Sequence, residues 1–102
     1  MSQPVHHLKQ MVALLEGERQ ALAALDLERI MTCAQGKGDL CDQLAKFTSE
    51  QLDEECLGLL DSAKRLNAIN RKLRNLIADN VQSRLSMLTG GNSSYSSTPA
   101  FA

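Results

Sequence analysis

The chain has few of the residues that build sheets or aromatic cores. Aromatic residues make up 3% of its 102 residues and Trp is absent, so the core must come from Leu, Ile, Val, Met and Ala. That composition favours helices over strands. A chain of this length forms one domain with a single modest core. The sequence therefore predicts a small all-α protein.

Long apolar runs and a cysteine framework are also missing. No stretch approaches the 18 apolar residues of a membrane span, and the N-terminus lacks the pattern of a secretion signal. The three cysteines, Cys33, Cys41 and Cys56, are odd in number and match no zinc spacing. They indicate a reducing compartment. These features predict a cytoplasmic protein without stable membrane insertion.

The sequence contains no pattern typical of an enzyme. It has no phosphate-binding glycine loop, no paired carboxylate motif and no nucleophile elbow. His6 and His7 are adjacent, so on a helix they point about 100° apart and cannot hold one metal ion together. We therefore expect no catalytic, cofactor-binding or metal-binding residues.

Charge is divided unevenly along the chain, although its formal net charge is only −1. Residues 1–56 contain five Lys/Arg and ten Asp/Glu, whereas residues 57–88 contain six and two. We interpret this as acidic helices packing beside a basic one. A nucleic-acid partner is not expected, because the chain is not net basic and lacks stacking aromatics. The basic residues that keep a DNA-binding regulator as a third possibility are Lys64, Arg65, Arg71, Lys72 and Arg74.

Apolar residues that recur at steps of three and four predict three helices, at about 4–25, 27–52 and 55–88. Asp26 separates the first two as a helix cap, and the acidic run near residue 53 suits the start of the third. Short turns make the expected fold an antiparallel up-down-up bundle with coiled-coil-like packing. The predicted second stripe is Leu27, Ile30, Ala34, Cys41, Leu44 and Leu52. Residues 1–89 would form this domain, followed by a flexible Gly/Ser-rich tail, residues 90–102.

Four polar residues, Glu18, Lys37, Asn70 and Asn80, occupy positions on or beside these stripes. Unpartnered burial would cost a few kcal/mol each. One alternative is that several of them are exposed at helix ends. A second is that they pair inside the bundle, for example Glu18 with Lys37, and that Asn70 fixes the register of the helices. A third is that they line a groove for a partner. Spacing does not choose between the last two. If Asn70 lines a groove, Asn70→Leu should stabilise the bundle and reduce discrimination between partners.

At the end of the third helix, Leu85, Met87 and Leu88 outrun the second helix in the expected register, and together with Val81 they form an apolar edge. An apolar edge of this kind is typical of an interface for self-association or for an amphipathic helix. The alternative is a frayed end that folds back on the first turn.

Two stretches resemble the FlgN-type flagellar export chaperone family. LLEGERQALAALDLERI (14–30) is similar to the family's first hairpin. Glu18, Leu22 and Asp26 in this stretch, and Lys37 seven residues after it, follow the family's order. RLNAINRKLRNLI (65–77) is similar to its long third helix, with Asn67 and Asn70 three residues apart. Tyr95, in the tail after this helix, is similar to the family's ending.

The resemblance implies an ATP-independent chaperone without cofactor. It would bind C-terminal helical segments of hook-associated (hook–filament junction) proteins and deliver them to the flagellar type III export apparatus. We expect it to be a monomer or weak dimer, with Tyr95 contacting an export component. The alternative is a structural coiled-coil subunit in a permanent oligomer. The predicted client-binding residues are Asn70, Ile77, Asn80, Val81, Leu85, Met87 and Leu88.

Overall fold

A computed structural model describes residues 3–89, which contain three α-helices and no strand. In chain order the elements are α1 (Gln3–Ala24), α2 (Leu27–Leu44), a 3-10 helix (Ser49–Gln51) and α3 (Glu54–Leu88). The predicted all-α fold is confirmed, and the bounds of α1 and α3 lie within one residue of those predicted. The predicted tail lies outside the described residues.

The chain divides into two compact units, Met1–Asn70 and Arg71–Ala102, and α3 contributes to both. Every residue that is buried lies in the first unit, between Pro4 and Asn70, among those described. The core of the protein therefore belongs to the first unit. The second unit, as far as it is described, is the C-terminal half of α3.

The helices of the first unit run up, down and up. Near the start of α1, Leu8 packs with Leu44 at the end of α2 and with Cys56 at the start of α3. At the other end of α1, the residues in contact are Glu18, Lys37 and Asn70. Thus α2 is antiparallel to α1 and the first part of α3 is parallel to it, as the sequence predicts.

Aliphatic side chains form the core of this unit, as the scarcity of aromatic residues predicts. The buried apolar residues are Val5, Leu8, Met11, Leu15, Ala21, Leu22, Cys56 and Ala63. Most of them belong to α1, which is therefore the central helix. Burying one leucine such as Leu15 contributes about 1.5–3 kcal/mol to stability.

Helix α2 is shorter than predicted, because it ends at Leu44 and not near residue 52. The next residues form tight turns, in which the Phe47 amide donates to the Leu44 carbonyl at 3.1 Å. The Thr48 amide then donates to the Gln51 side chain at 2.7 Å. Thr48 and Gln51 have the spacing of a capping box, which starts a new element. The Thr48 and Gln51 spacing is visible in the sequence, but the apolar spacing that continues to Leu52 favoured a single uninterrupted helix.

The face that α2 turns inward also differs from the prediction. Cys41, Ala34 and Leu27 of the predicted stripe are exposed, whereas Cys33 and Lys37 are half-buried. The true face is rotated by about one residue, because Lys37 pairs with the buried Glu18 on α1. The sequence placed Lys37 on or beside the stripe and gave its pairing with Glu18 as one alternative, but the apolar residues alone did not indicate the rotated face.

Asp26 caps α2 as predicted, and the turn before it is strained. The Asp26 side chain accepts a hydrogen bond from the Arg29 amide at 3.2 Å. The Asp26 amide donates to the Ala21 carbonyl and the Leu25 amide to the Leu22 carbonyl, which is a Schellman ending. This ending places Leu25 at φ 54°, a left-handed conformation that favours glycine.

We expect Leu25→Gly to raise the free energy of unfolding by about 0.5–1 kcal/mol, because glycine adopts this conformation without strain. Leu25 is exposed, so little packing is lost. Chemical denaturation of the full chain measures the change. Leu25→Ala is the control, since it keeps the strain and should not stabilise. Equal stability of the two variants would contradict the assignment of strain to Leu25.

Asp53 caps α3 and fixes its first turn. Its carboxylate accepts a hydrogen bond from the Cys56 amide at 2.9 Å. This hydrogen bond lowers the pKa of Asp53 from its ordinary value of 3.8. Because the pKa is lower in the folded state than in the unfolded one, the ionised carboxylate stabilises the fold above pH 3.8. This stabilisation is lost as the pH falls through the lowered value.

Asp53→Asn keeps a capping oxygen and removes this titration. We therefore expect the stability advantage of the wild type over Asp53→Asn to be constant at neutral pH and to shrink below pH 3.8. Urea denaturation at a series of pH values measures it. An advantage that stays unchanged down to pH 2 would show that Asp53 does not titrate abnormally.

Candidate functional site

The C-terminal half of α3 exposes a continuous set of apolar side chains. Val81, Leu85 and Leu88 are 51%, 54% and 82% exposed, and Met87 at the edge of the set is 77% exposed. Ile77 precedes Val81 by four residues and is half-buried. Steps of four, four and three place Ile77, Val81, Leu85 and Leu88 on one side of the helix. We call these residues, with Met87 and Asn80, the C-terminal apolar face.

Leaving apolar side chains in water is costly, at about 25 cal/mol per Å² of apolar surface. Single exposed leucines are ordinary, but a contiguous set marks a binding surface. The structure thus places six of the seven predicted client-binding residues on one exposed helical face. Tyr95 lies outside the described residues.

Asn70 is the exception, and its assignment to a client-binding groove is corrected. Its side chain is fully buried in the first unit. The Asn70 Nδ2 atom donates to the Leu15 carbonyl at 2.9 Å and to Glu18 Oε1 at 2.8 Å. Asn70 is therefore occupied inside the bundle and presents no surface to a partner.

Asn70 belongs to a polar network that joins all three helices of the first unit. The centre of the network is Glu18, which is 1% exposed. Lys37 Nζ lies 3.0 Å from Glu18 Oε2 and also donates to Asn67 Oδ1 at 3.1 Å. A buried carboxylate is tolerated only when it is paired and hydrogen-bonded, and both conditions are met here. Of the readings left open by the sequence, the structure shows pairing of Glu18 with Lys37.

The network aligns the three helices along the bundle axis. Glu18 on α1 and Lys37 on α2 lie at the same level as Asn67 and Asn70 on α3. A shift of one helix along another would leave the Glu18 carboxylate buried without its lysine. One atom, Asn70 Oδ1, is buried without a hydrogen-bond partner. The network thus fixes the register of the bundle at the cost of one unsatisfied oxygen.

A second exposed apolar group lies at the turn between α1 and α2 and was missed by the sequence reading. It consists of Leu25, Leu27 and Met31, each about two-thirds exposed. The periodic spacing assigned Leu27 to the buried second stripe. Only the rotated face of α2 and the Schellman ending, neither of which spacing reveals, turn these side chains outward.

An open groove of about 730 Å³ runs between α1 and α2. Gly36 forms part of its floor, where a Cβ atom would lie 3.2 Å from the Leu14 side chain. The lining residues are His6, His7, Gln10, Ala13, Leu14, Gly36, Asp39, Leu40 and Gln43. The mixture of polar and apolar groups does not resemble an enclosed, mostly apolar ligand pocket.

The candidate reactive residues are dispersed. The rings of His6 and His7 are 5.9 Å apart edge to face, and His7 also packs on Phe47. Cys41 is exposed, Cys33 is half-buried and Cys56 is buried, the reverse of the predicted order for the first two. No group of three metal-ligating side chains occurs within residues 3–89. Nor do the helices in that range include one with the length and apolarity of a membrane span.

Of the five basic residues of α3 that could suit a nucleic-acid partner, four are exposed and Arg74 is half-buried. Lys64, Arg65, Arg71 and Lys72 are exposed, and Arg65 pairs with Asp61 one turn away at 3.0 Å. An exposed pair of this kind contributes little to stability, about 0.3–0.5 kcal/mol. These positions are typical of a solvated helix surface.

Comparison of the chain with protein-family models, with curated proteins and with solved structures finds no match. The candidate function therefore depends on the geometry of this chain and on the residues that resemble the FlgN-type family.

Proposed function

We propose that this protein is a FlgN-type chaperone of flagellar type III export that acts in the cytoplasm without ATP. It binds C-terminal helical segments of hook-associated proteins, prevents their aggregation and delivers them to the export apparatus. Contact of Tyr95 with an export component is part of this proposal. The observation that carries it is the C-terminal apolar face of α3.

An exposed apolar face on a folded helix can protect a client segment from aggregation. An amphipathic segment that awaits its partner exposes an apolar stripe and aggregates through it. A preformed helix with a complementary stripe covers that surface in a helix-to-helix contact. Because α3 is already folded, the chaperone side loses little conformational freedom on binding. The contact remains reversible when the buried area is modest.

A permanent coiled-coil subunit is the alternative, because the same face would also serve self-association. The positive charge of the C-terminal half of α3 opposes self-association through this face. Residues 71–88 contain four Lys/Arg and one Asp, so two copies of the segment would repel each other. The repulsion favours a different chain as partner.

The test is light-scattering chromatography of the full chain, alone and mixed with the C-terminal segment of a hook–filament junction protein. We expect a monomer or weak dimer that forms a complex of defined mass with the segment. A fixed oligomer that ignores the segment would contradict the proposal and favour the structural subunit.

A further inference from the structure

One charged residue, Arg84, lies within the C-terminal apolar face. It follows Val81 by three residues and Ile77 by seven, and it precedes Leu88 by four. These spacings place it on the same side of α3 as the apolar side chains. Any helix that covers this face must therefore also cover, or come directly beside, the Arg84 guanidinium.

The helix itself offers Arg84 no acidic neighbour. The residues at its three- and four-residue spacings are Asn80, Val81, Met87 and Leu88. By contrast, Arg19 pairs with Glu16 and Arg65 with Asp61 at these spacings. No ion pair of Arg84 occurs among residues 3–89, and the residue is exposed. In the free protein its charge is solvated by water.

Binding of a partner helix removes the hydration of Arg84, because the helix displaces the water around the guanidinium. Covering an arginine without a counter-charge costs several kcal/mol, whereas a carboxylate at the right position compensates the cost. The planar guanidinium is well suited to a bidentate contact with one carboxylate. Asn80, one turn before Arg84, can donate its side-chain amide N–H to the same carboxylate.

A second copy of this chain supplies the wrong chemistry through the same segment. That copy would bring another Arg84 and the same excess of positive charge in residues 71–88. The lone acidic residue there, Asp79, follows Ile77 by two residues and therefore points away from the face. A different helix with acidic character is the better complement.

We infer that the C-terminal apolar face accepts an amphipathic helix with a carboxylate inside its apolar stripe, and that Arg84 selects it by pairing with that carboxylate. The inference rests on the proposed function and specifies the partner chemistry of the same surface. A helix with a purely apolar stripe binds more weakly, because it leaves Arg84 without a partner.

The test uses three designed amphipathic peptides of equal length and helicity, each with leucine on its apolar stripe. They differ at the central stripe position, which is Glu, Gln or Lys. We expect the full chain to bind the Glu peptide about ten-fold more tightly than the Gln peptide, as for close charge pairs across an interface. Isothermal titration calorimetry measures the affinities.

Arg84→Gln should abolish the preference for Glu, and Arg84→Glu should turn it into a preference for Lys. Arg71→Gln is the matched control, since it removes an exposed arginine that lies off the face and should leave the preference unchanged. Equal binding of the Glu and Gln peptides by the wild type would overturn the inference alone. Binding of none of the peptides would overturn it together with the proposed function. A stable dimer of the free wild type would also overturn it, because a second copy would then occupy the face.

Discussion

Lys37→Met is expected to lower the free energy of unfolding by about 3 kcal/mol, because it removes the lysine that pairs with the buried Glu18 carboxylate. Glu18 has 2% of its side chain exposed, and Lys37 has 21%. Asn70 still donates its hydrogen bond to Glu18, but a neutral amide does not replace the charge of the lysine. Methionine matches the length of the lysine stem, so the packing changes little. Guanidinium denaturation at neutral pH measures the loss.

The control for this substitution is Lys9→Met. Lys9 lies 3.9 Å from Glu55, and both side chains are about 60% exposed. Removing such a surface pair should change stability by at most about 0.5 kcal/mol. Glu18→Gln combined with Lys37→Met should recover most of the lost stability, since no charge then remains buried. A Lys37→Met variant as stable as Lys9→Met would contradict the account of the network.

The same network reverses the sequence-based expectation for Asn70→Leu. Leucine would remove a donor from Glu18 Oε1 and another from the Leu15 carbonyl. The substitution should therefore destabilise the bundle by about 1–3 kcal/mol. It would stabilise only when Glu18 and Lys37 are also replaced by apolar residues of similar volume. The amide on the stripe of α3 is there because a carboxylate faces it.

Leu85→Asp and Leu88→Asp are each expected to weaken binding of a client segment about 100-fold. Either change places a carboxylate on the apolar face that the client would cover, and losses of 2 kcal/mol or more are typical of interface residues that are fully buried on binding. Both side chains are more than half exposed in the free protein, so the melting temperature should hardly change. Calorimetric titration and thermal denaturation measure the two effects.

Asn75→Asp provides the matched control for these variants. It adds the same charge to the same half of α3, at an exposed position two residues before Ile77 and so off the face. It should bind the client segment nearly as well as the wild type. Equal loss in all three variants would indicate a general charge effect, and unchanged binding in the leucine variants would place the client elsewhere.

Much of the fold could be predicted from sequence because α1 and α3 carry their cores as regular apolar spacings. Helix α2 could be predicted only in part. The pairing of Lys37 with Glu18 was one of the alternatives, but the rotated inward face and the C-terminal end, which turn chemistry at Thr48 sets, did not follow from apolar spacing. Spacing reports where apolar residues recur, and it does not report which polar residue finds a partner on another helix. The same limit explains Asn70, which was compatible with a groove and with a buried network until Glu18 was located beside it.

The exposure of the candidate residues could be predicted better than the partners of the buried polar residues. Val81, Leu85, Met87 and Leu88 were assigned to an apolar edge, and the structure places all four on exposed positions of α3. Arg84 was missed because a search for apolar residues ignores the charge among them. Its spacing from Val81 and Leu88 was the available signal.

Hydrogen exchange of the full chain with and without the client segment shows directly whether the C-terminal apolar face binds the client. The C-terminal half of α3 contains no buried side chain among its described residues, so its amides should exchange readily in the free protein. We predict that the client slows exchange most strongly between Ile77 and Leu88 and changes α1 little. Protection confined to another surface, such as the groove between α1 and α2, or no protection anywhere, would contradict the assignment of the C-terminal apolar face as the client-binding site.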